Sequence, residues 1–471
     1  MHPASGLAAT AVLIASTTAL CQTPTYQALM QDDVIAADIW DAVPRILSAN
    51  FGFDGIVGVP INEDDVRAAG GTWMDLPDDI EDTAPLGAFT SAAAPPAVAT
   101  AFGFATDHAD AMPIVFSWPV LPSTVQPTDF EIRLNDGTTV TPEVASIFPC
   151  HEFNERNVVV IAGEIANRIP PGEPGARFVT SVAIVDDGSP LTLLGPGGIE
   201  RSAVGMSRPS GNPYLAGGGP TLVGAKLSRA SAAGEGAPVA FNGQFPNDGS
   251  VLYGDEAEYR LRVLTTGGFS PNGVSAVLPT EFERYFRLHV EGESETRLLT
   301  QTGVDYSLSG GRLRILGLSD LGLPGQPLDL AYQEDGDNYI DIILTGDEAA
   351  MRQIRAVEIP AAGNYDPFFN PGGPGNDPTP GVRYTQPGPR DLEPVQIALD
   401  EPMTTTFDPA NTPCNAADIA DPRGTLDGAD VNAFIDAFGS REPEADVAMP
   451  YGVLDGADVS MFISAFGAGC P

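Results

Sequence analysis

The chain has 471 residues, 43% of them hydrophobic, which is enough apolar material for about three packed domains. Its 52 glycines and 44 prolines indicate many turns and short strands. The net charge of −40 argues against nucleic acids and anionic membrane surfaces as partners, because their phosphates would be repelled. Such acidity suits a salty or a calcium-containing medium.

The N-terminus carries a short apolar run, GLAATAVLIASTTAL, followed by Cys21. The run is typical of a secretory signal peptide over residues 1–21, although no Lys or Arg precedes Arg45. A transmembrane anchor is the alternative, but the run is shorter than the roughly 20 residues that a span needs. We therefore expect a secreted protein, extracellular or at the cell surface, with no transmembrane segment in the mature chain.

The long central region predicts a mostly β protein. Residues 22–112 form a mixed N-terminal region, where the apolar spacing over 26–48 indicates a helix interrupted by Pro44. Strand-like runs separated by turn signals then predict an antiparallel β-sandwich over 113–198 and a second all-β domain over 199–359. The Pro/Gly-rich stretch 360–411 predicts a stiff linker to a small α-helical module over 412–471.

Within the first sandwich, STVQPTDFE (123–131) is echoed by SAVLPTEFE (275–283). The first copy runs on into IRLNDGTTVTP, and this stretch resembles the opening strands of bacterial immunoglobulin-like domains. The resemblance covers about twenty residues. It implies an immunoglobulin-like sandwich for this part of the chain.

The C-terminal module contains a duplication. DIADPRGTLDGADVNAFIDAFG (418–439) and DVAMPYGVLDGADVSMFISAFG (446–467) align without a gap and share 15 of 22 residues. Each copy has acids at fixed spacing, then a stripe at i, i+3, i+4 and i+7 (Val431, Phe434, Ile435, Phe438; Val459, Phe462, Ile463, Phe466). The pattern predicts two loop–helix units that pack helix on helix and stop near Gly439 and Gly467.

The acids suit calcium, which takes six to eight oxygen ligands that a short loop opening a helix can gather. A metal-free alternative is that Asp427 and Asp430 cap a helix and favour its first turn. That alternative does not explain why an Asp recurs nine residues earlier in both copies. Cys414 and Cys470 bracket the duplication and are expected to form a disulfide, which leaves Cys150 as a buried or an intermolecular thiol.

Residues 414–471, including the closing AFGAGCP, resemble GC-type dockerins, the calcium-binding repeats that join secreted proteins to cohesin receptors. The resemblance implies one or two bound Ca²⁺ ions and a cohesin-like or other cell-surface protein as partner. It assigns the metal ligands Asp418, Asp427, Asp430 and the carbonyl of Thr425 in the first loop, with Asp421 nearby, and Asp446, Asp455, Asp458 and the carbonyl of Val453 in the second. Each loop is one residue longer than the twelve-residue pattern.

Two further acidic stretches have alternative interpretations. EDGDNYID (334–341) places Asp335, Asp337 and Asp341 before a strand, where they could bind calcium or form a solvated turn. CHEFNE (150–155) gathers Cys150, His151, Glu152 and Glu155, but it lacks the paired histidines of zinc proteases and favours a turn with solvated acids.

The sequence contains no catalytic motif such as G-x-S-x-G, a phosphate loop or a dinucleotide fingerprint. We therefore expect a secreted binding or structural protein that is attached to a partner through its C-terminal module. The alternatives are a polysaccharide-directed hydrolase carried by the same module, with its paired carboxylates invisible in sequence, and a surface-layer component whose acids gather calcium.

Overall fold

The computed structural model describes most of the chain between residues 24 and 470. The described residues are 24–50, 53–71, 73–75, 88–90, 92–167, 169, 171–210, 221–230, 236–238, 249–267, 277–292, 295–320, 338–361, 390–401, 405–406, 414–420, 424–448, 451 and 453–470. The candidate ligands Asp421, Asp335 and Asp337 lie outside them.

Strands dominate the described part of the chain. They are β1 (Ile35–Ala37), β2 (Ile46–Ala49), β3 (Phe53–Val57), β4 (Trp73–Asp75), β5 (Ala88–Thr90), β6 (Ala109–Phe116), β7 (Phe130–Leu134), β8 (Thr139–Val140), β9 (Val144–Ser146), β10 (Val158–Gly163), β11 (Val179–Ile184), β12 (Thr192–Leu194), β13 (Glu200–Ser202), β14 (Ser207–Pro209), β15 (Leu222–Arg229), β16 (Tyr259–Thr265), β17 (Arg287–Val290), β18 (Arg297–Leu299), β19 (Tyr306–Leu308), β20 (Gly311–Ser319), β21 (Tyr339–Gly346), β22 (Ile354–Ile359), β23 (Asp391–Pro394), β24 (Gln396–Ile397) and β25 (Thr405–Thr406).

Helices are short except at the C-terminus. The α-helices of the described residues are α1 (Pro24–Leu29), α2 (Glu63–Ala68), α3 (Pro95–Phe102), α4 (Gly249–Tyr253), α5 (Phe282–Tyr285), α6 (Glu348–Met351), α7 (Gly428–Ser440) and α8 (Gly456–Ala468).

Four sheets of four or more strands build the described part of the body. Sheet I has the order β2-β6-β10-β9, with β3 also paired to β6, and sheet II has the order β14-β11-β7-β8. Sheet III has the order β19-β20-β21-β16-β15-β24, and sheet IV has the order β18-β17-β22-β23. All of these pairings are antiparallel except the parallel pair β15–β24. The expected mostly β, antiparallel body is confirmed.

Three apolar clusters fix the order of the sheets. One cluster joins sheets I and II, and another joins sheets III and IV. The third joins the opposite face of sheet I, through residues such as Val115 and Val158, to Leu264 and Tyr339 of sheet III. The sheets are therefore layered in the order II, I, III, IV. Strands β6 and β10 are buried along their whole length because sheet I is covered on both faces.

Strand β16 shows how the layering uses side-chain alternation. Leu261 and Val263 point into the core between sheets III and IV. Successive side chains of a strand point to opposite faces, so Arg260 and Arg262 lie on the side that faces sheet I. Both arginines are buried there, at the junction of the two β units.

The N-terminal region differs from the expected interrupted helix. Only Pro24–Leu29 is helical, whereas residues 35–37 and 46–49 form strands. Strand β2 pairs with β6 and is buried on both sides, which a surface helix with one apolar stripe would not be. The first β unit therefore begins well before residue 113, the expected start of the sandwich.

Part of the stretch that predicts a linker also enters the sheets. Strand β23 pairs with β22, β24 pairs with β15, and β25 pairs with β1. Strand β23 ends in Pro394, which lacks a backbone N–H group. It can still pair because β23 lies at the edge of sheet IV, where one side of the strand has no neighbouring strand.

Candidate functional site

The C-terminal module contains two helices that begin in the same way. Asp427 caps α7 by accepting a hydrogen bond from the Ala429 amide at 2.6 Å, and Asp430 accepts one from the Asp427 amide at 2.8 Å. The second helix repeats both bonds at the same distances through Asp455 and Asp458. These reciprocal bonds satisfy backbone N–H groups that have no acceptor within the helix.

The first-turn acids also close their loops. Oδ1 of Asp430 accepts hydrogen bonds from the Ile419 and Ala420 amides, both at 2.9 Å. Oδ1 of Asp458 accepts the equivalent pair from the amides of 447–448, again at 2.9 Å. Each carboxylate is buried and accepts hydrogen bonds from three backbone N–H groups. The two copies therefore close their loops in the same way.

The earlier Asp of the first copy has a similar role. Oδ2 of Asp418 accepts hydrogen bonds from the Gly424 amide at 2.6 Å and from the Cys414 amide at 2.8 Å. Gly424 has a φ of 81°, in the left-handed region that glycine adopts without strain. Asp418 therefore joins the turn of its loop to the start of the module.

The expected disulfide is confirmed, since Cys414 and Cys470 are bonded with their Cα atoms 5.3 Å apart. Cys150 is buried in the cluster between sheets I and III, in the way a small apolar side chain would be.

The ligand atoms of each predicted triad are not gathered within 4.8 Å of one another. The described residues contain two such groups of His, Cys, Asp or Glu, namely Cys414–Asp418–Cys470 and Glu152–Glu155–Asp320. The first includes the oxidised cysteines, which offer no thiolate. A carboxylate has about four acceptor sites, and Asp430 and Asp458 each use three for backbone donors. The oxygen donors suit a hard cation, although backbone N–H groups occupy most of the acceptor sites on these two carboxylates.

Thr425 and Val453 lie in the loops ahead of α7 and α8, and both are exposed. Asp446 is buried in the second loop.

The two helices pack through equivalent residues. The rings of Phe434 and Phe462 stack with centroids 4.1 Å apart. Ile435 and Ile463, expected in the same interface, are instead 60% and 64% exposed. A pair of helices buries only a narrow seam, so the outer position of a broad stripe remains in solvent. The helices also end slightly beyond the expected glycines, at Ser440 and Ala468.

The second repeat is docked on the first β unit. Arg201 of β13 donates from Nε to the Asp446 carbonyl at 2.5 Å and from Nη2 to the Glu444 carbonyl at 3.4 Å. Tyr451 donates from Oη to the Ser202 carbonyl at 2.9 Å. Burial lowers the pKa of Arg201, and the acids of the repeat act against that effect. Among the described residues, these three bonds join the segment 444–451 of the module to β13 of the body.

A cavity of about 730 Å³ lies at this contact. Its lining includes Asp186 and Glu200 from the body and Tyr451 and Met461 from the module. Burial, reinforced by the charge of Asp32, raises the pKa of Glu200 to about 7. Glu200 therefore changes its charge near neutral pH.

A second acidic region lies between sheets I and III. Arg262 binds Asp341 of the neighbouring strand through two hydrogen bonds of 2.8 and 2.9 Å. Its Nη2 also lies 2.8 Å from Asp320 and 3.5 Å from Glu155. Burial alone would lower the pKa of Arg262, but Asp341 and Asp320 hold it well above its ordinary value. Asp341 is thus buried and paired, and the alternative of a solvated turn is wrong for this residue.

Next to this group lies a second set of buried ions. Asp38 accepts a hydrogen bond from Arg260 at 2.6 Å, and Lys226 Nζ lies 3.6 Å from its other oxygen. Lys226, the sole lysine of the chain, also donates to the Ile39 carbonyl at 3.2 Å. Burial would raise the pKa of Asp38, but Arg260 and Lys226 lower it.

The CHEFNE segment enters the same interior, and the interpretation of solvated acids is wrong. Glu152 and Glu155 are buried, as are His151, Asn154 and Arg156. The segment precedes β10, and its backbone is covered by neighbouring chain, with the Phe153 carbonyl accepting from the Ile35 amide at 3.0 Å. Burial lowers the pKa of His151 to about 4, so this ring is neutral at pH 7.

Sequence reasoning missed the cations of this region. Arg260 and Arg262 alternate with apolar residues in YRLRVL, which is also the pattern of a strand with one solvated face. The one available signal is the isolation of Lys226 within an apolar strand.

None of the described helices combines the length and apolarity needed to cross a lipid bilayer.

Comparison of the chain with protein-family models, with curated proteins and with solved structures gave no match.

Proposed function

We propose that this is a binding or structural protein of the extracellular space, attached to a partner through its C-terminal module. The observation that carries the proposal is the exposure of the same isoleucine in both copies, Ile435 on α7 and Ile463 on α8. Large apolar side chains that two repeats keep in solvent favour a binding role over a purely structural one.

The second copy adds two more exposed apolar residues, Val453 and Met461, which are 52% and 44% exposed. Residues 414–470 contain ten Asp or Glu and two Arg. A complementary partner would therefore present an apolar surface with cations at its rim. A cohesin-like or other cell-surface protein is the partner that we propose.

Calcium belongs to this proposal. Asp418, Asp427 and Asp430 would serve the first loop and Asp446, Asp455 and Asp458 the second, with the carbonyls of Thr425 and Val453. Bound calcium would supply positive charge that fixes the loops. The backbone bonds to Asp430 and Asp458 support loops that also close without metal.

The test compares binding of labelled full-length variants to a cell-surface preparation of the source organism. The double variant Ile435→Asp, Ile463→Asp should bind about tenfold more weakly, because buried apolar anchors dominate such interfaces. Leu298→Asp is the matched control, since Leu298 is 45% exposed on strand β18 of the body. Equal binding by both variants would remove the module from the attachment role.

A polysaccharide hydrolase is a second candidate, and one observation favours it. The cavity between body and module holds two carboxylates, and that of Glu200 has a pKa raised to about 7, as a general acid requires. Reducing-sugar release from polysaccharides by the full chain, lost in Glu200→Gln, would support this candidate. If the full chain releases no reducing sugar from any polysaccharide tested, the hydrolase candidate fails and the binding role is the remaining proposal.

A further inference from the structure

Sheets II and IV are equivalent sheets of the two β units. Their strands pair in the same order relative to the chain, β8-β7-β11-β14 in sheet II and β18-β17-β22-β23 in sheet IV. The echoed segments 123–131 and 275–283 precede β7 and β17. Each closes its turn in the same way, since Asp129 accepts a hydrogen bond from the Gln126 amide at 2.6 Å and Glu281 accepts one from the Leu278 amide at 3.0 Å. The outward faces of the two sheets can therefore be compared strand by strand.

The outward face of sheet II is polar. Ile132 and Val182 point into the core between sheets I and II, so the residues beside them in their strands point away from it. These residues form two cross-strand rows, Arg133–Ser181–Pro209 and Glu131–Ala183–Ser207. Neither row contains a leucine, isoleucine, methionine or aromatic residue, as expected for an outer layer that faces water.

The outward face of sheet IV carries leucines instead. Leu288 and Val357 point into the core between sheets III and IV. The residues beside them form the outer face of sheet IV, in the cross-strand rows Leu298–His289–Ala356–Pro394 and Arg287–Glu358–Leu392. Leu298 is 45% exposed and Leu392 is 42% exposed. Because the equivalent face of sheet II has no leucine, the fold does not require them, and their exposure favours a binding surface.

The charges of this face are positive in a strongly acidic protein. Arg287 donates hydrogen bonds to the carbonyls of Glu283 and Phe286, and it forms no ion pair with a carboxylate of the described residues. Arg390 lies 3.8 Å from Glu358, whose carboxylate also contacts His289. Two guanidinium groups thus meet one carboxylate, although the net charge of the chain is −40. The face therefore suits an acidic partner that brings an apolar side chain.

The C-terminal module carries both of these features. Its first helix, α7, leaves Ile435 60% exposed, and Asp436 of the same helix and Glu442 just after it are also exposed. Residues 414–470 contain ten Asp or Glu and two Arg. An acidic surface with an apolar anchor is the complement of leucines accompanied by arginines.

The position of the module shows which molecule can supply this helix. Within one chain, the described bonds between module and body join the segment 444–451 to β13 of the first β unit. Sheet IV belongs to the second unit and is the last layer in the order II, I, III, IV. A helix α7 that reaches the outer face of sheet IV therefore comes from another molecule.

We propose that the outer face of sheet IV binds helix α7 of a second copy of this chain. Ile435 of one molecule packs on Leu298 and Leu392 of the next. Arg287 and Arg390 face the acids of the bound module. The two surfaces differ and every chain has both, so the contact is head-to-tail and builds open rows of molecules rather than closed dimers. A second copy as partner rests on the attachment role that we propose for the module.

Sedimentation velocity of the full chain in calcium-containing buffer tests the contact. The wild type should sediment faster as its concentration rises to about 100 μM, since a weak interface is populated only at high concentration. Added salt should reverse this association, because it screens the charges. The sheet variant, Leu298→Asp with Leu392→Asp, and the module variant, Ile435→Asp, should each remain monomeric. A monomeric wild type, or either variant associating by itself, would overturn the proposal.

Mixing the two variants tests the head-to-tail geometry. One contact remains intact in the mixture, between the module of the sheet variant and the outer face of sheet IV in the module variant. Dimers that grow no further should form, which also shows that both variants are folded. The matched control is Arg133→Asp on sheet II, which changes the net charge as much as the two Leu→Asp substitutions and should assemble like the wild type. Monomers in the mixture or in the control would refute the contact.

Failure of this contact is distinguishable from failure of the attachment role. Binding to the cell-surface preparation requires the module of the labelled chain, which Leu298→Asp keeps. If the wild type is monomeric but Ile435→Asp, Ile463→Asp loses cell-surface binding, the partner of the module is a different protein and the attachment role stands.

Discussion

The protein places aspartates in two regions that handle negative charge in opposite ways. In the C-terminal module, Asp430 and Asp458 are satisfied by backbone N–H groups of their own loops. In the body, Asp341 and Asp320 are held by the guanidinium group of Arg262, from a distant part of the chain. The first arrangement is local and repeats with the sequence, while the second exists only after the sheets are layered.

The difference predicts how each region fails. Removing a local acceptor exposes a few amides within one loop, so the damage should remain in that loop. Removing a cation from the interior leaves several buried carboxylates without compensation, so the damage should reach both β units. Substitutions in the two regions can test this contrast.

The largest expected effect is that of Arg262→Met. The variant keeps an apolar stem but leaves Asp341, Asp320 and Glu155 without their shared cation. We expect the free energy of unfolding of the β units to fall by about 3–5 kcal/mol, as for other broken buried ion pairs. Urea unfolding followed by tryptophan fluorescence measures the change.

The control for Arg262→Met is Arg314→Met, because Arg314 pairs with Asp305 at the surface. Water screens a surface pair, so it contributes little to stability and this variant should unfold close to the wild type. Equal destabilisation by the two substitutions would contradict the special status of the interior pair.

The sequence could predict features that depend on nearby residues. The apolar runs of β10 and β16, the capping acids of α7 and α8, and the Cys414–Cys470 pair all follow from local pattern or spacing. In each case the physical cause acts between residues close in the chain, or at the two ends of one short module.

The layered interior could not be predicted in the same way. Glu155 and Asp320 come together because sheet I packs on sheet III, and no sequence period records that contact. Arg260 and Arg262 alternate with apolar residues whether their face meets solvent or another sheet. The exposure of Ile435 likewise depends on the number of helices available to cover it, which is a property of the assembled module.

The second expected effect is confined to the module. Asp430→Ala leaves the amides of Ile419, Ala420 and Asp427 without an acceptor. The module should lose about 3 kcal/mol of stability, since each lost bond at a buried site costs about 1 kcal/mol or more. Hydrogen exchange should accelerate at these amides, while the body remains protected.

Asp436→Ala is the matched control for Asp430→Ala, because Asp436 is exposed on the same helix. It should change stability by no more than about 0.5 kcal/mol. Calcium sharpens the comparison, since an ion that takes over the Asp430 oxygens would release the Ile419 and Ala420 amides and speed their exchange. Unchanged exchange at saturating calcium would speak against metal at this carboxylate.

A smaller effect is expected where the module meets the body. Tyr451→Phe removes the hydrogen bond to the Ser202 carbonyl and should weaken docking by about 1 kcal/mol. Hydrogen exchange in the β12–β13 hairpin measures the loss. Tyr253→Phe, which removes a 2.7 Å bond to the Leu318 carbonyl within the second unit, should leave that hairpin unchanged. An equal response to both substitutions would mean that the hairpin reports general destabilisation.

The smallest expected effect is a pH dependence at the same contact, because Glu200 is only partly buried and water screens its charge. Its pKa of about 7 in the folded protein exceeds the ordinary value of 4.5, so between these values the folded chain retains a proton that the unfolded chain has released. The contribution of Glu200 is therefore fully present below pH 4.5 and is lost as the pH rises through 7. The free energy of unfolding of the wild type, relative to that of Glu200→Gln, should decline from pH 5 to pH 8 in parallel denaturation series. A constant difference across this range would show that burial does not hold the proton on Glu200.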